Sequence, residues 1–440
     1  MAVSWFADIL GNWKTEKTDE YLSFGRFSDA YKKKEKYEQW DQAVDLFRAG
    51  DTISSYLAFL DYLDHGQGNV SYSQDGDNLQ FTIIQGSKKI TGKVGEDYVR
   101  AECKVAQMVQ SELGYMRFLA EKNYELKYSR YSLDENDCVC LVFDSFLLDC
   151  SPFKLYYALK EVALSADKLD DILVEEFKKG LTPVDTDHIL ELSDDLKAAK
   201  RSYLRSTLED TLEYYNRHES DGAQSPGGLS YLLLAAGYKI DYLTQPEAYT
   251  LEAVERIQRL YYSRDDLDML AKNQQIVAEY RRILQRDDAL IEREFYHSIF
   301  TFGITKPIGT YRLTEIFAQD WKNLLWYSKH NLPTVAIAIA DYIVGYSLFN
   351  FAPAQPIREL LHLYYEIMES SYLVATHDAS NFWKDGEINQ RLVRRELKAI
   401  EDRYEDQIVG FALDERDVDC SSRVAFVRSF LIMIDMIKIG

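Results

Sequence analysis

Asn69 to Val105 reads NVSYSQDGDNLQFTIIQGSKKITGKVGEDYVRAECKV, and its hydrophobic period is two. Val70 and Tyr72 alternate with serines, and Asp75-Gly76 is a strong type I′ hairpin signal, because that turn needs positive φ at its central residues. Leu79, Phe81 and Ile83 then alternate with Gln80, Thr82 and Ile84. Gln85-Gly86-Ser87-Lys88 turns the chain again towards Ile90 and Val94. Val99, Ala101, Cys103 and Val105 share the next face, with Arg100, Glu102 and Lys104 on its reverse. The pattern predicts an antiparallel meander with one face wet.

On both sides the period returns to 3.6. Upstream, Trp40, Ala43, Val44 and Phe47 form one helical stripe, and Ile53, Tyr56, Leu57, Leu60 and Leu63 form another. Between them Gly50 suits a helix C′ position, and Asp51 or Thr52 suits a new N-cap. Downstream, Leu113, Met116, Phe118 and Leu119 predict a helix. Leu126, Tyr128 and Arg130 share a face of a following strand, and the apolar run Cys138 to Phe143 predicts a strand buried on both faces. Phe153 to Lys179 is a long amphipathic helix striped by Leu155, Leu159, Val162, Leu169, Ile172, Leu173 and Phe177. The predicted order over residues 52–180 is helix, three strands, helix, two strands, helix.

Everything after Pro183 reads helical, including Asp288 to Ile304, with no convincing alternation. The fold class is therefore α+β: an antiparallel sheet with flanking helices, followed by a large all-α domain. The expected division is N-terminal helices at 1–50, the α+β domain at 51–182 and the helical domain at 183–440, with a polar linker near 219–228, ESDGAQSPGG.

The composition restricts the function classes. Of 440 residues, 51 are Lys or Arg and 72 are Asp or Glu, a formal charge of -21. A field of that sign repels phosphate backbones and anionic lipid, so neither nucleic acid nor a charged membrane surface is an expected partner. No basic n-region precedes an apolar stretch at the N-terminus, so no secretory signal is expected. Five scattered cysteines, Cys103, Cys138, Cys140, Cys150 and Cys420, read as buried thiols of a reducing cytoplasm. The most apolar stretch, Pro333 to Phe351, holds Asp341 at its middle. A carboxylate at a bilayer centre costs about 3 kcal/mol, so a buried core helix is expected instead of a membrane span. The run Ala425 to Gly440 is broken by Arg428, Asp435 and Lys438 and is expected to pack on the fold or on a second subunit.

The element order resembles the type III secretion chaperone-like fold and, more loosely, the YbjN-like family that shares it. The residues behind the resemblance are MRFLAEKNYELKYSRYSLDENDCVCLVFDSFLLD, Met116 to Asp149, completed by the helix Phe153 to Phe177 with Ala158, Leu164 and Leu169 in register. It covers about 130 residues, and the helical region beyond has no counterpart in those small proteins. The resemblance implies a small acidic, often dimeric bacterial protein that holds partner segments against its sheet or helices. It implies no catalytic residues.

The familiar chemical signatures are absent. There is no P-loop, dinucleotide fingerprint, nucleophile elbow, H-E-x-x-H or C-x-x-C. Glu294-Phe-Tyr-His297 is a single E-x-x-H on an expected helix, where a di-iron bundle needs two. Asp185-Thr-Asp187-His188 collects ligand types, but Asp187 suits a helix N-cap. His377-Asp378 has no adjacent nucleophile. Lys32-Lys33-Lys34-Glu35-Lys36, flanked by Tyr31 and Tyr37, reads as a solvated helix face. Tyrosine is abundant, with 32 residues including the pairs Tyr156-Tyr157, Tyr214-Tyr215, Tyr261-Tyr262 and Tyr364-Tyr365, a composition that suits half-wet packing and interfaces.

The leading expectation is a non-enzymatic protein-binding module with a protein partner, a possible homodimer, and neither metal nor cofactor. Its candidate surface is the sheet face of Phe81, Ile83, Val99, Ala101 and Cys103. The rival is a ligand pocket or active site in the helical domain, marked by Asp341 with His362 and Glu366, which lie one helical turn apart. A third reading is a structural subunit that docks through its apolar C-terminus from Phe426.

Overall fold

The alternation from Asn69 onward builds strands where period two predicts them, yet four of them where three were expected. The computed structural model describes residues 24–437, apart from 178, 187, 222–225 and 378. The expected N-terminal helix signals before Phe24 lie outside the described residues, as do Asp187, Asp378 and the middle of the 219–228 linker.

The chain divides into two compact units. The first, residues 27–192 with 296–304, is the sheet unit. Helix α1 (Lys34–Ala49) ends at Gly50, whose φ of 87° only glycine adopts freely. Helix α2 (Thr52–Leu63) is capped by Asp51, which accepts from the Ser54 amide. Strands β1 (Val70–Asp75), β2 (Asn78–Gln85), β3 (Lys88–Val94) and β4 (Tyr98–Met108) form the meander. Helix α3 (Leu113–Glu125) is followed by β5 (Arg130–Leu133) and β6 (Cys138–Phe146). A 3-10 turn, Leu147–Asp149, leads to the 25-residue α4 (Pro152–Glu176), capped by Ser151 and started by Pro152. The short β7 (Leu181–Thr182) and β8 (Leu190–Glu191) follow.

Sheet order is β1-β2-β3-β4-β6-β5, with β7 pairing the far end of β4, and every pairing is antiparallel. Helices α2 and α4 pack on one face. The α4 stripe of Leu155, Leu159, Val162, Leu169 and Leu173 is buried in one core with Leu79, Ile90, Val139, Leu141 and Phe143 of that face.

The second unit is helical and takes residues 24–26, 193–295 and 305 onward. It comprises α5 (Asp194–His218), α6 (Gly227–Thr244), α7 (Ala248–Tyr262), α8 (Met269–Leu284) and the short α9 (Asp288–Glu292). The expected helix from Asp288 to Ile304 stops there. Tyr296–His297 is strand β9, which pairs with β8, and 296–304 belongs to the sheet unit. Gly86 bridges Ile299, and the Phe300 carbonyl lies 2.7 Å from His65 Nε2. The helical unit resumes with β10 (Lys306–Ile308), α10 (Thr310–Lys329), α11 (Pro333–Asn350) and β11 (Phe351–Pro353), which pairs parallel with β10. Helices α12 (Ile357–Met368) and α13 (Ser370–Thr376) precede a two-residue hairpin of β12 (Trp383–Lys384) and β13 (Glu387–Ile388). Helices α14 (Gln390–Tyr404) and α15 (Arg423–Asp435) complete it. The region beyond Pro183 therefore carries short strands as well as helices.

The expected boundaries at 50 and 182 differ from the compact units: α1 belongs with the sheet, and the sheet unit runs to 192. Among the described residues, no helix is long and apolar enough to cross a membrane.

Candidate functional site

Phe81 is 3% exposed, and Ile83, Val99, Ala101 and Cys103 are 0% exposed. Alternation placed them correctly on one face, but α2 and α4 cover that face, so they are core and not a partner surface. The fit is tight at Gly92, the cross-strand partner of Phe81: a Cβ there would lie 1.9 Å from the Phe81 ring. Burial pushes the Cys103 thiol up, far from a reactive thiolate.

Asp341 is buried within α11, and its carboxylate is fully engaged. Tyr364 of α12 donates to its Oδ1 at 2.7 Å, and Lys239 of α6 lies 3.3 Å from its Oδ2. Lys239 also reaches Glu369 at 3.0 Å, and the Tyr365 hydroxyl donates to the Asp341 carbonyl. Burial raises the Asp341 pKa, and Lys239 opposes that shift. The same helical unit holds a second buried pair, Arg26–Asp241, joined by two bonds of 2.6 and 2.7 Å, with the guanidinium 3.7 Å above the Phe349 ring.

His362 and Glu366 do not join Asp341. The His362 ring stacks on Phe24 at 4.0 Å, and its Nδ1 lies 3.0 Å from the Tyr242 hydroxyl. Burial lowers the His362 pKa to about 3, so the ring is neutral near pH 7 and its 3.6 Å approach to Glu366 is no ion pair. Burial, then the charge of Glu396, raises Glu366 to about 7. A shallow surface groove with no enclosed volume is lined by Thr310, Leu313, Phe317, Ile357 and Ile434, and none of the three expected pocket residues lines it. The pocket expected around Asp341 is instead a filled, ion-paired core.

The remaining motifs are absorbed in the same way. Glu294 is bound by Arg286 at 2.5 Å and by Thr250, whereas His297 sits on β9 and not on a shared helix. Lys36 and Lys32 donate to the Asp61 and Tyr62 carbonyls at the end of α2, so the basic run anchors a helix C-terminus. Tyr364 and Tyr365 are both buried. The C-terminal stripe Phe426, Val427, Phe430 and Leu431 is buried, with α15 packing on α10, α11 and α12, so it is part of the core and not a docking element.

The sheet's reverse face has a different character. The register puts Gln80, Thr91, Lys93, Tyr98, Arg100, Asp144, Phe146 and Arg130 on it, all exposed. Tyr98 and Phe146 face each other across β4 and β6 and are 53% and 70% exposed. With Lys89 and Lys104, the face carries five cations against the carboxylates of Asp75, Glu102 and Asp144, with Asp134 at its β5–β6 end. Arg100 pairs with Glu102 at 2.8 Å and Arg130 with Asp144 at 2.5 Å. Arg100, Glu102 and Lys104 mark this face as wet in the sequence, but its excess of positive charge emerges only once the strands are brought side by side.

No protein-family model matches the chain. No curated protein matches it in sequence either.

Proposed function

We propose that the protein is a non-enzymatic protein-binding module, chaperone-like or adaptor-like, whose exposed sheet face receives an acidic partner segment bearing apolar side chains. The observation that carries this reading is an excess of positive charge on one open sheet face of a chain with a net charge of -21. Such a patch attracts acidic segments locally, while the rest of the surface repels them. Tyr98 and Phe146 supply apolar anchors beside the charges, and aromatics with Arg are the residues enriched in interfaces. The expected reducing, cytoplasmic setting is supported by five unpaired cysteines.

The test is affinity capture of full-length protein from its native extract, then titration of the recovered partner's acidic segment against wild type and variants. Lys93→Glu combined with Arg100→Glu, and separately Phe146→Asp, are expected to weaken binding at least about tenfold, equivalent to ~1.4 kcal/mol. Added salt is expected to weaken the wild-type complex. Unchanged affinity in folded variants refutes the assignment. A dimer seen by light scattering and dissociated by the same substitutions would assign the face to a second copy instead.

A further inference from the structure

On the same reverse face lies a small buried island. Cys138 and Cys140 are each 1% exposed and Val142 is 2% exposed, and Val184 packs over them as a cluster separate from the main core. Residues two apart on a strand point the same way, so both thiols rise from one face of β6. The turn from β5 into β6 adds a third donor. Asp134 donates its amide to the Cys138 carbonyl at 2.9 Å, and its Oδ1 accepts from the amides of Asn136 and Cys138 at 2.9 and 2.8 Å. Those bonds hold the carboxylate beside the first thiol. One ligand atom each from Asp134, Cys138 and Cys140 lies within 4.8 Å of the others.

We propose that Asp134, Cys138 and Cys140 form a binding site for one thiophilic d10 cation, zinc being the ion this donor set suits. A tetrahedral zinc with bonds of about 2.3 Å to sulfur holds two sulfurs roughly 3.8 Å apart, so the donors need to close by about an ångström at most. Two soft thiolates and one carboxylate select zinc over magnesium or calcium, which take oxygen donors. A disulfide suits the pair less well. Strand residues two apart separate their Cα atoms by about 6.7 Å, the upper end of the disulfide range. The thiols now donate only weakly, Cys138 to the Ala106 carbonyl at 3.4 Å and Cys140 to the Cys138 carbonyl at 3.5 Å. On binding, each thiol releases its proton to solvent, two Zn–S bonds and one Zn–O bond form, and water completes the tetrahedron. Lys104, the cross-strand partner of Cys140, places a positive charge beside the resulting anionic ligand set.

The experiment uses full-length reduced protein stripped with a chelator, with Co²⁺ as a spectroscopic probe and Zn²⁺ as competitor. One equivalent of Co²⁺ is expected to give a tetrahedral, thiolate-to-cobalt absorption that Zn²⁺ displaces, with two protons released per ion. Asp134→Asn keeps the Oδ1 acceptor for the turn and is expected to weaken binding at least about tenfold, since even outer-shell partners of metal ligands are worth that much. Cys138→Ala with Cys140→Ala is expected to abolish the band, and Cys420→Ser to leave it unchanged. Absence of a thiolate band, or its survival in the double cysteine variant, overturns the proposal. If the double variant does not fold, Asp134→Asn decides: a folded variant with undiminished affinity overturns it.

Discussion

Removing the Lys239 ammonium should expose how much the helical unit depends on its buried charges. Lys239 bridges Asp341 at 3.3 Å and Glu369 at 3.0 Å, and the Asp341 side chain is only 6% exposed. At an effective dielectric of about 20 each contact represents roughly 5 kcal/mol of attraction. Desolvation of the three ions offsets much of it, so the pair is no measure of net stability. Deleting one partner is different, because Asp341 would stay buried without its counter-charge; such deletions cost about 3–5 kcal/mol. Lys239→Met keeps the stem and removes only the charge. At about 2 °C per kcal/mol for a unit of this size, the melting temperature should fall by roughly 6–10 °C. The pH dependence gives the sign. Asp341 already has a raised pKa through burial, which Lys239 opposes, so Lys239→Met raises it further. Between its unfolded and native pKa values, such an acid binds more protons folded than unfolded. Stability then falls as pH rises, by about 1.4 kcal/mol per unit. Lys239→Met should therefore be less stable than Lys239→Met/Asp341→Asn at pH 8, and the gap should narrow towards pH 5. Calorimetry supplies the melting temperatures, and hydrogen exchange of α11 peptides identifies the transition that moves. A Lys239→Met protein with an unchanged melting temperature, or a gap that widens as pH falls, refutes the reasoning.

Gly92→Ala should destabilise the sheet unit by about 1–3 kcal/mol, because its Cβ would enter the Phe81 ring; Phe81→Leu should recover part of this in thermal melts, and a neutral Gly92→Ala would contradict the packing. The Glu161 carboxylate accepts from the amides of Lys127, Tyr128 and Ser129. Burial opposes its ionisation, but these bonds outweigh burial and hold its pKa below the usual range. Its contribution is therefore present above the unfolded pKa near 4.3 and lost as pH falls through the native value, and Glu161→Gln should flatten the acid limb of the stability profile.

The parts of the fold legible in the sequence are those whose signals are local. The hairpin after Asp75, the alternation from Leu79 to Val105 and the α4 stripe are each decided within a few residues, although the turn centres on Gly76-Asp77 with positive φ only at Gly76 and is not the expected type I′ turn at Asp75-Gly76. The alternating residues Val70–Tyr72, Leu79–Ile83, Ile90–Val94 and Val99–Val105 mark all four strands of the meander, although only three were expected. The segment 126–129 was expected to be strand, yet its amides are bound by Glu161, more than thirty residues away. The segment 296–304 was read as helix for the same reason. Ile299, Phe300 and Phe302 are apolar, but their place is set by Gly86, His65 and Gln85, more than 200 residues upstream. Asp341 stood out as a charge in an apolar helix. That Lys239 and Tyr364 satisfy it is a property of packed helices, which no spacing reports.

The apolar face of the sheet is core and its charged face is exposed for a physical reason that applies beyond this chain. A strongly alternating strand identifies two faces, and its apolar face is the one the protein's own helices compete to cover. Here α2 and α4 win that competition, and Phe81 to Cys103 become core. The exposed chemical variety of the sheet then lies in the positions that read as merely wet, as charge and a few exposed aromatics. Lys93, Arg100, Lys104 and Arg130 stand out only against a chain whose remaining surface is acidic, so their sign matters more than their number. The same reasoning makes Cys138 and Cys140 notable: small buried thiols on the face that otherwise carries charge are not needed to fill the main core, and Asp134 is held beside them by its own turn.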